Sequence, residues 1–235
     1  SSAPATHPYL FKRQHDFVYR YLFRTLLRYS EKDKNILCEM CTELPTYLEF
    51  DPIKKLYPLK ITIQKDVLWD KDLPITAKDI EFSIKVYQLL MRPKVNRFLR
   101  NLSHMEVKDV HTLTLYMRHS VQMLNELTQI PILPKHIEEK AFEGAALYQD
   151  YLEGSAFATS LPHPEGLYSG DYFVKAKTAN SWLLKRKSHL KDSEQTVSIY
   201  FDKTLEQSLA QLATREFSFV YLPEDEYKKR EMDTT

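Results

Sequence analysis

Glycine is scarce in this chain, with four in 235 residues. No glycine-rich dinucleotide fingerprint and no P-loop can be written from so few, and no H-E-x-x-H metalloprotease motif is present. The G-x-S-x-G nucleophile elbow of hydrolases is also missing. An enzyme would have to be of an unrecognised type. No apolar run is long enough to span a bilayer. The opening residues SSAPATHPYL lack the basic start and apolar segment of a signal peptide. Neither sign of charge dominates: 33 Lys and Arg stand against 32 Asp and Glu, a formal net charge of +1. That balance gives no electrostatic footprint for nucleic acid. Cysteine is limited to Cys38 and Cys41, spaced C-x-x-C. The spacing suits a redox pair or half a zinc site, but a structural zinc takes four ligands and no second C-x-x-C exists. The expectation is two small residues on a helix at the edge of the core, without metal. A disulfide between them would be geometrically poor on a regular helix.

What is present is ordinary for a globular protein: 43% hydrophobic and 28% charged residues. Tyrosine (15) and phenylalanine (12) are plentiful, which suits strands. The length allows one large domain or two small ones. Residues 60–87 are the most informative stretch. Ile61 and Ile63 alternate with Thr62 and Gln64, predicting a strand over 60–64. Asp70, Lys71, Asp72 and Pro74 supply turn chemistry. Thr76 is placed to cap a helix, and Asp79 and Glu81 fall in its first turn, where the helix dipole favours negative charge. Ile80, Ser83, Ile84 and Tyr87 share one face, so Ile80 and Ile84 are expected to be buried in a helix over 77–90. Pro93 ends that helix near Met91.

Residues 11–29 show helical spacing, with Arg13, Arg20, Arg24 and Arg28 in a row opposite the apolar face. Such a row is a solvated face or a phosphate-binding one. A strand is expected within 46–50, a short helix within 96–102, two strands within 105–117 and a helix over 121–129. Residues 141–170 read as loop-rich. A hairpin is expected around Phe173 and Trp182–Leu184, then a strand over 197–201, a helix over 204–214 and a last strand over 216–222. His136 has no partners at metal-ligand spacing and reads as structural.

Several of these stretches carry a resemblance. Trp69, Pro74, Thr76, Ala77, Asp79, Ile80, Phe82 and Ser83 are similar to the signature of the solute-binding proteins of peptide ABC importers, the fifth extracytoplasmic solute-binding family. Lys71 and Asp72 stand where the family has an Asp-Gly turn; glycine supplies a positive φ easily there, and Asp72 can visit that region at some cost. Asp109 and Thr112 resemble its hairpin, and Pro134-Lys135-His136 a further match. Ser169, Gly170 and Tyr172 fit a fourth segment, from which Tyr168 and Asp171 depart. The final strand resembles a fifth, with Arg215 and Ser218 replacing its Gly and Asp.

The resemblance implies an α+β fold: a mixed-sheet lobe of a two-lobe periplasmic-binding-protein-like architecture with an inserted α+β subdomain, the second lobe being absent. The lobe would comprise residues 1–45 and 165–235, and the insert residues 46–164. It implies the solute-binding component of an importer for oligopeptide-like ligands, not an enzyme and without a cofactor. Its partners would be a peptide or other small solute and an ABC permease, with no nucleic acid. It would be monomeric and periplasmic or anchored on the outer face of the cytoplasmic membrane as a lipoprotein. Tyr168, Ser169, Gly170 and Tyr172 are the candidate ligand-binding residues. One lobe alone is expected to bind weakly or not at all. The alternative within the family is the ligand-sensing domain of a transcription regulator.

Overall fold

The computed structural model describes residues 7–8, 16–30, 32–70, 72–91, 97–120, 124–158, 163–201 and 203–214. In chain order these form α1 (Asp16–Leu22), β1 (Leu27–Ser30), β2 (Asn35–Cys38), β3 (Thr46–Tyr47), β4 (Tyr57–Thr62), α2 (Ala77–Met91) and α3 (Arg97–Asn101). There follow β5 (Leu102–Val107), β6 (Thr112–Met117), α4 (Leu124–Leu127), α5 (Lys135–Glu143), α6 (Tyr148–Gly154), β7 (Tyr172–Lys177), β8 (Ser181–Arg186), β9 (Thr196–Tyr200) and α7 (Leu205–Ala213). The strands make a hairpin β1-β2, a four-stranded sheet in the order β3-β4-β6-β5 and a three-stranded sheet β7-β8-β9. The fold is α+β, as expected. Every pairing among the described strands is antiparallel, where the resemblance implied a mixed sheet.

α2 is the wall between two cores. Ile80, Ile84 and Tyr87 face the first, built on the inward residues of the four-stranded sheet, among them Leu59, Ile61, Leu113 and Leu115. Those four sit opposite one another in register, Leu59 with Leu115 and Ile61 with Leu113, so one side of the pleat is apolar throughout. Phe82 and Val86, on the other side of α2, belong to a second core with Val18, Leu22, Tyr151, Tyr168 and Trp182. β1 and β2 contribute to the first core through Leu27 and Ile36, whereas α5 and α6 contribute to the second. Ile80 and Ile84 are each 1% exposed, so the expected burial holds, and α2 buries a second face besides.

The start of α2 is tied down by Asp79. Its Oδ2 accepts the Thr76 N–H and hydroxyl, both at 2.8 Å, and its Oδ1 accepts the Lys135 N–H at 3.1 Å. The bond from the Thr76 N–H is the reciprocal half of a capping box, and the Thr76 hydroxyl adds a second donor to the same carboxylate oxygen. The Lys135 bond docks the beginning of α5 on α2, and Ser83 adds a second tie by accepting the Leu133 N–H at 2.8 Å. Before the helix, Asp70 Oδ1 accepts the N–H groups of Asp72 and Leu73 at 3.0 and 3.1 Å. These two bonds form a side-chain turn of the kind aspartate favours.

Other expectations are corrected. The helix expected to run to Tyr29 stops at Leu22, because Leu26 and Leu27 turn into the first core and β1 pairs with β2. The arginine row is thereby broken: Arg20 is on α1, Arg24 lies between elements and Arg28 is on β1. Arg13 and the strand expected over 216–222 lie outside the described residues. Residues 141–170 hold α6, where a loop was expected; Asp150 Oδ2 accepts the N–H groups of Ala146 and Leu147 at 3.1 and 2.8 Å, and Tyr151 is fully buried. Cys38 and Cys41 are not on a helix. Cys38 ends β2, Cys41 bridges to Ile63, and with Cα atoms 5.2 Å apart the two form a disulfide.

Candidate functional site

The expected site residues lie on the short crossing from a 3-10 turn, Glu165–Leu167, into β7. Tyr168 is fully buried in the second core, and its hydroxyl lies 2.7 Å from His163 Nδ1. Burial pushes its phenol well above the ordinary tyrosine range. Ser169 is also buried and accepts the Arg24 N–H on its Oγ at 2.9 Å. Gly170 donates its N–H to the Leu22 carbonyl at 2.8 Å, which caps the end of α1. Only glycine fits there: a Cβ would lie 2.3 Å from the Tyr21 carbonyl oxygen. Tyr172 is half-buried, edge-on to the Tyr21 ring at 5.4 Å, with its hydroxyl donating to Gln195 Oε1 at 3.3 Å.

Ser169 and Gly170 line a cavity of about 230 Å³ together with Arg24, Gln64, Lys187 and His189. Tyr168 and Tyr172 are not part of that lining. Sequence reading missed Lys187, which is 1% exposed. Its Nζ donates to the Trp69 carbonyl at 2.8 Å and to the Tyr168 carbonyl, so one ammonium joins the turn before α2 to the crossing before β7. Burial lowers its pKa to about 7; the neighbouring Arg24 adds to the fall, while Asp171, Glu165 and Asp70 oppose it. Beside it the Arg24 guanidinium is paired with Asp171, whose other oxygen lies 3.9 Å from Arg186.

A second and larger cavity, about 540 Å³, opens on the opposite side of the Phe23–Thr25 stretch. Its base is a short antiparallel contact in which Thr25 bridges to Pro131 and Ile132 donates its N–H to the Arg24 carbonyl at 3.0 Å. Tyr19, Arg20, Arg28, Tyr29 and Gln129 stand around it. Glu39, in the same wall, accepts the Thr25 N–H at 3.0 Å and lies 2.9 Å from the Thr25 hydroxyl. The walls come from segments roughly a hundred residues apart, so no local motif announces this cavity. The arginine row was its one visible trace, through Arg20 and Arg28.

Among the described residues no group of three or more His, Cys, Asp or Glu is placed to hold a metal ion. His136 turns its ring edge toward Trp69 at 6.0 Å. No helix among the described residues is long and apolar enough to cross a membrane. The two cavities present guanidinium, ammonium, amide and aromatic groups on a packed frame.

Neither a protein-family model nor a curated protein sequence matches this chain. Solved structures do. A periplasmic oligopeptide-binding protein of an oligopeptide ABC transporter from Thermotoga maritima matches with a TM-score of 0.68 at 15% identity, over 92% of this chain and 39% of its own. The oligopeptide-binding protein AppA from Bacillus subtilis, in complex with a nonapeptide, matches with a TM-score of 0.67 at 19% identity, over 97% and 43%. NikZ from Campylobacter jejuni, in complex with Ni(L-His), matches with a TM-score of 0.64 at 18% identity, over 92% and 41%. At such identities it is the fold that is shared. The chain has the fold of a part of the periplasmic oligopeptide-binding proteins, and it spans about two-fifths of the length of those it matches.

Proposed function

We propose that this chain is the first lobe of an extracytoplasmic solute-binding component of an ABC importer, and that its solute is oligopeptide-like. The observation that carries the reading is the fold likeness, which takes in 92–97% of the chain and includes proteins whose described role is oligopeptide binding. The Cys38–Cys41 disulfide supports the location, because such bonds persist in oxidising compartments and are rare in the cytosol. It favours an importer component over a cytosolic transcription regulator.

In this reading residues 1–45 and 165–235 form the lobe proper and residues 46–164 its insert. The crossing that carries Ser169, Gly170 and Tyr172 faces the second lobe, with Tyr168 anchoring it from beneath. Ligand is held between the lobes and handed to a membrane permease by a monomeric receptor, soluble in the periplasm or held at the membrane as a lipoprotein. One lobe leaves much of a ligand in water, so the isolated chain binds weakly.

The test is transport. Deleting the gene from its host should abolish uptake of labelled tri- to pentapeptides, and the intact gene should restore it. Unchanged peptide uptake in the deletion strain would refute the reading.

A further inference from the structure

The larger cavity points to a ligand chemistry. It measures about 540 Å³, inside the range of roughly 300–1,000 Å³ typical of small-ligand sites. Two guanidiniums stand at its wall, Arg20 from α1 and Arg28 from β1. No ion pair or side-chain hydrogen bond joins either to a residue whose side chain the structure describes. Arg24, between them in sequence, points the other way and is taken by Asp171. The lone carboxylate among the described lining residues is Glu39, and its Oε2 is already an acceptor for Thr25. Among the described lining residues the cavity thus presents two N–H forks against a single carboxylate, which is itself bonded to Thr25.

The remaining wall is suited to a peptide. Tyr19 and Tyr29 offer ring surface, and the Gln129 side-chain amide offers a donor and an acceptor. A planar guanidinium fork matches a carboxylate bidentately, which an ammonium point charge does not. From this juxtaposition we infer that the cavity is a subsite for a carboxylate-bearing peptide, with Arg20 and Arg28 binding the carboxylate. The inference rests on the peptide-binding reading above and adds to it a preference for negative charge.

The carboxylate has two sources, a peptide's C-terminus or an acidic side chain. The test therefore uses four probes on the full-length gene product: the tetrapeptide Ala-Glu-Phe-Ala and its glutamine counterpart Ala-Gln-Phe-Ala, each with a free and an amidated C-terminus. Calorimetry at low salt should show at least one carboxylate worth about tenfold in affinity, and the advantage should shrink as salt rises. Loss on amidation assigns the C-terminus; loss on Glu-to-Gln exchange assigns the side chain. The R20Q/R28Q variant should lose the preference for the carboxylate-bearing probes. Both positions are exposed, so a matching thermal midpoint certifies the fold. R28K, which keeps the charge but not the fork, should retain only part of the preference. Equal affinity for all four probes overturns the inference and leaves the peptide-binding reading standing, as does a preference that survives in R20Q/R28Q. No binding of any probe, at any salt, removes both.

Discussion

Replacing Gly170 by alanine puts the packing of the candidate site to a quantitative test. The new Cβ would lie 2.3 Å from the Tyr21 carbonyl oxygen, 2.7 Å from the Leu22 carbonyl carbon and 2.9 Å from the Leu22 oxygen. All three are backbone atoms at the end of α1, so no side chain can swing aside. Restoring ordinary contact means separating the crossing from α1 by about 1 Å. Overpacking of this kind costs about 1–3 kcal/mol. The same shift stretches the 2.8 Å bond from Gly170 N–H to the Leu22 carbonyl beyond useful length, a further loss of about 0.5–1.5 kcal/mol. Together the change should destabilise by about 2–4 kcal/mol, which lowers a urea midpoint by about 1 M or more at the usual slopes. Gly144 is the control: a Cβ there meets only carbonyl oxygens at 3.5 and 3.9 Å. Its alanine variant should be unchanged or stabilised by about 0.4–1 kcal/mol. A Gly170→Ala midpoint within about 0.2 M of the parent would refute the close approach of the crossing to α1 and with it the placement of the site.

Three further outcomes follow from the same frame. Ile84→Ala, at the centre of α2, should cost about 2–5 kcal/mol by urea denaturation, and an unaltered midpoint would contradict its burial. Lys187 is held at about 7 in the folded state against 10.5 when unfolded, so between those values the unfolded chain binds the extra proton and stability should rise with pH, by up to about 1.4 kcal/mol per pH unit. Lys187→Met removes that contribution, and parent and variant should diverge in their midpoints from pH 7 to pH 10; parallel curves would contradict the lowered pKa of Lys187. Unreduced, denatured protein should take up no thiol-alkylating reagent, and reduced protein two equivalents, one each at Cys38 and Cys41; labelling without reductant would contradict the disulfide.

Much of the frame was legible in the sequence where its causes are local. β4, α2, the β5-β6 hairpin and the β7-β8 hairpin each carry their own periodicity and turn residues within some twenty positions. The end of α1 was not legible, because Leu26 continues a helical spacing and what stops the helix is remote: the Thr25–Pro131 bridge and the pairing of Leu27 with Cys38. α6 was hidden by its weak apolar pattern; Tyr151 is drawn inward by the Glu138 carboxylate, which accepts its hydroxyl at 2.9 Å. The cysteines were misplaced because C-x-x-C on a helix and C-x-x-C at a strand end are the same letters, and only the second brings the Cα atoms to bridging distance. At the candidate site, Ser169 and Gly170 were named through a resemblance of short motifs. Lys187 was not, since a lone lysine gives no sign that two carbonyls 118 and 19 residues away will enclose it.

The central claim is that this chain forms part of a receptor that holds a peptide-like solute between two lobes. Calorimetric titration of the full-length gene product with a pool of tri- to pentapeptides tests it most directly, with the 235-residue chain titrated in parallel. Saturable heat with the full-length product and little or none with the chain alone is the predicted result. No heat with the full-length product, or equally tight binding by the chain alone, would contradict it.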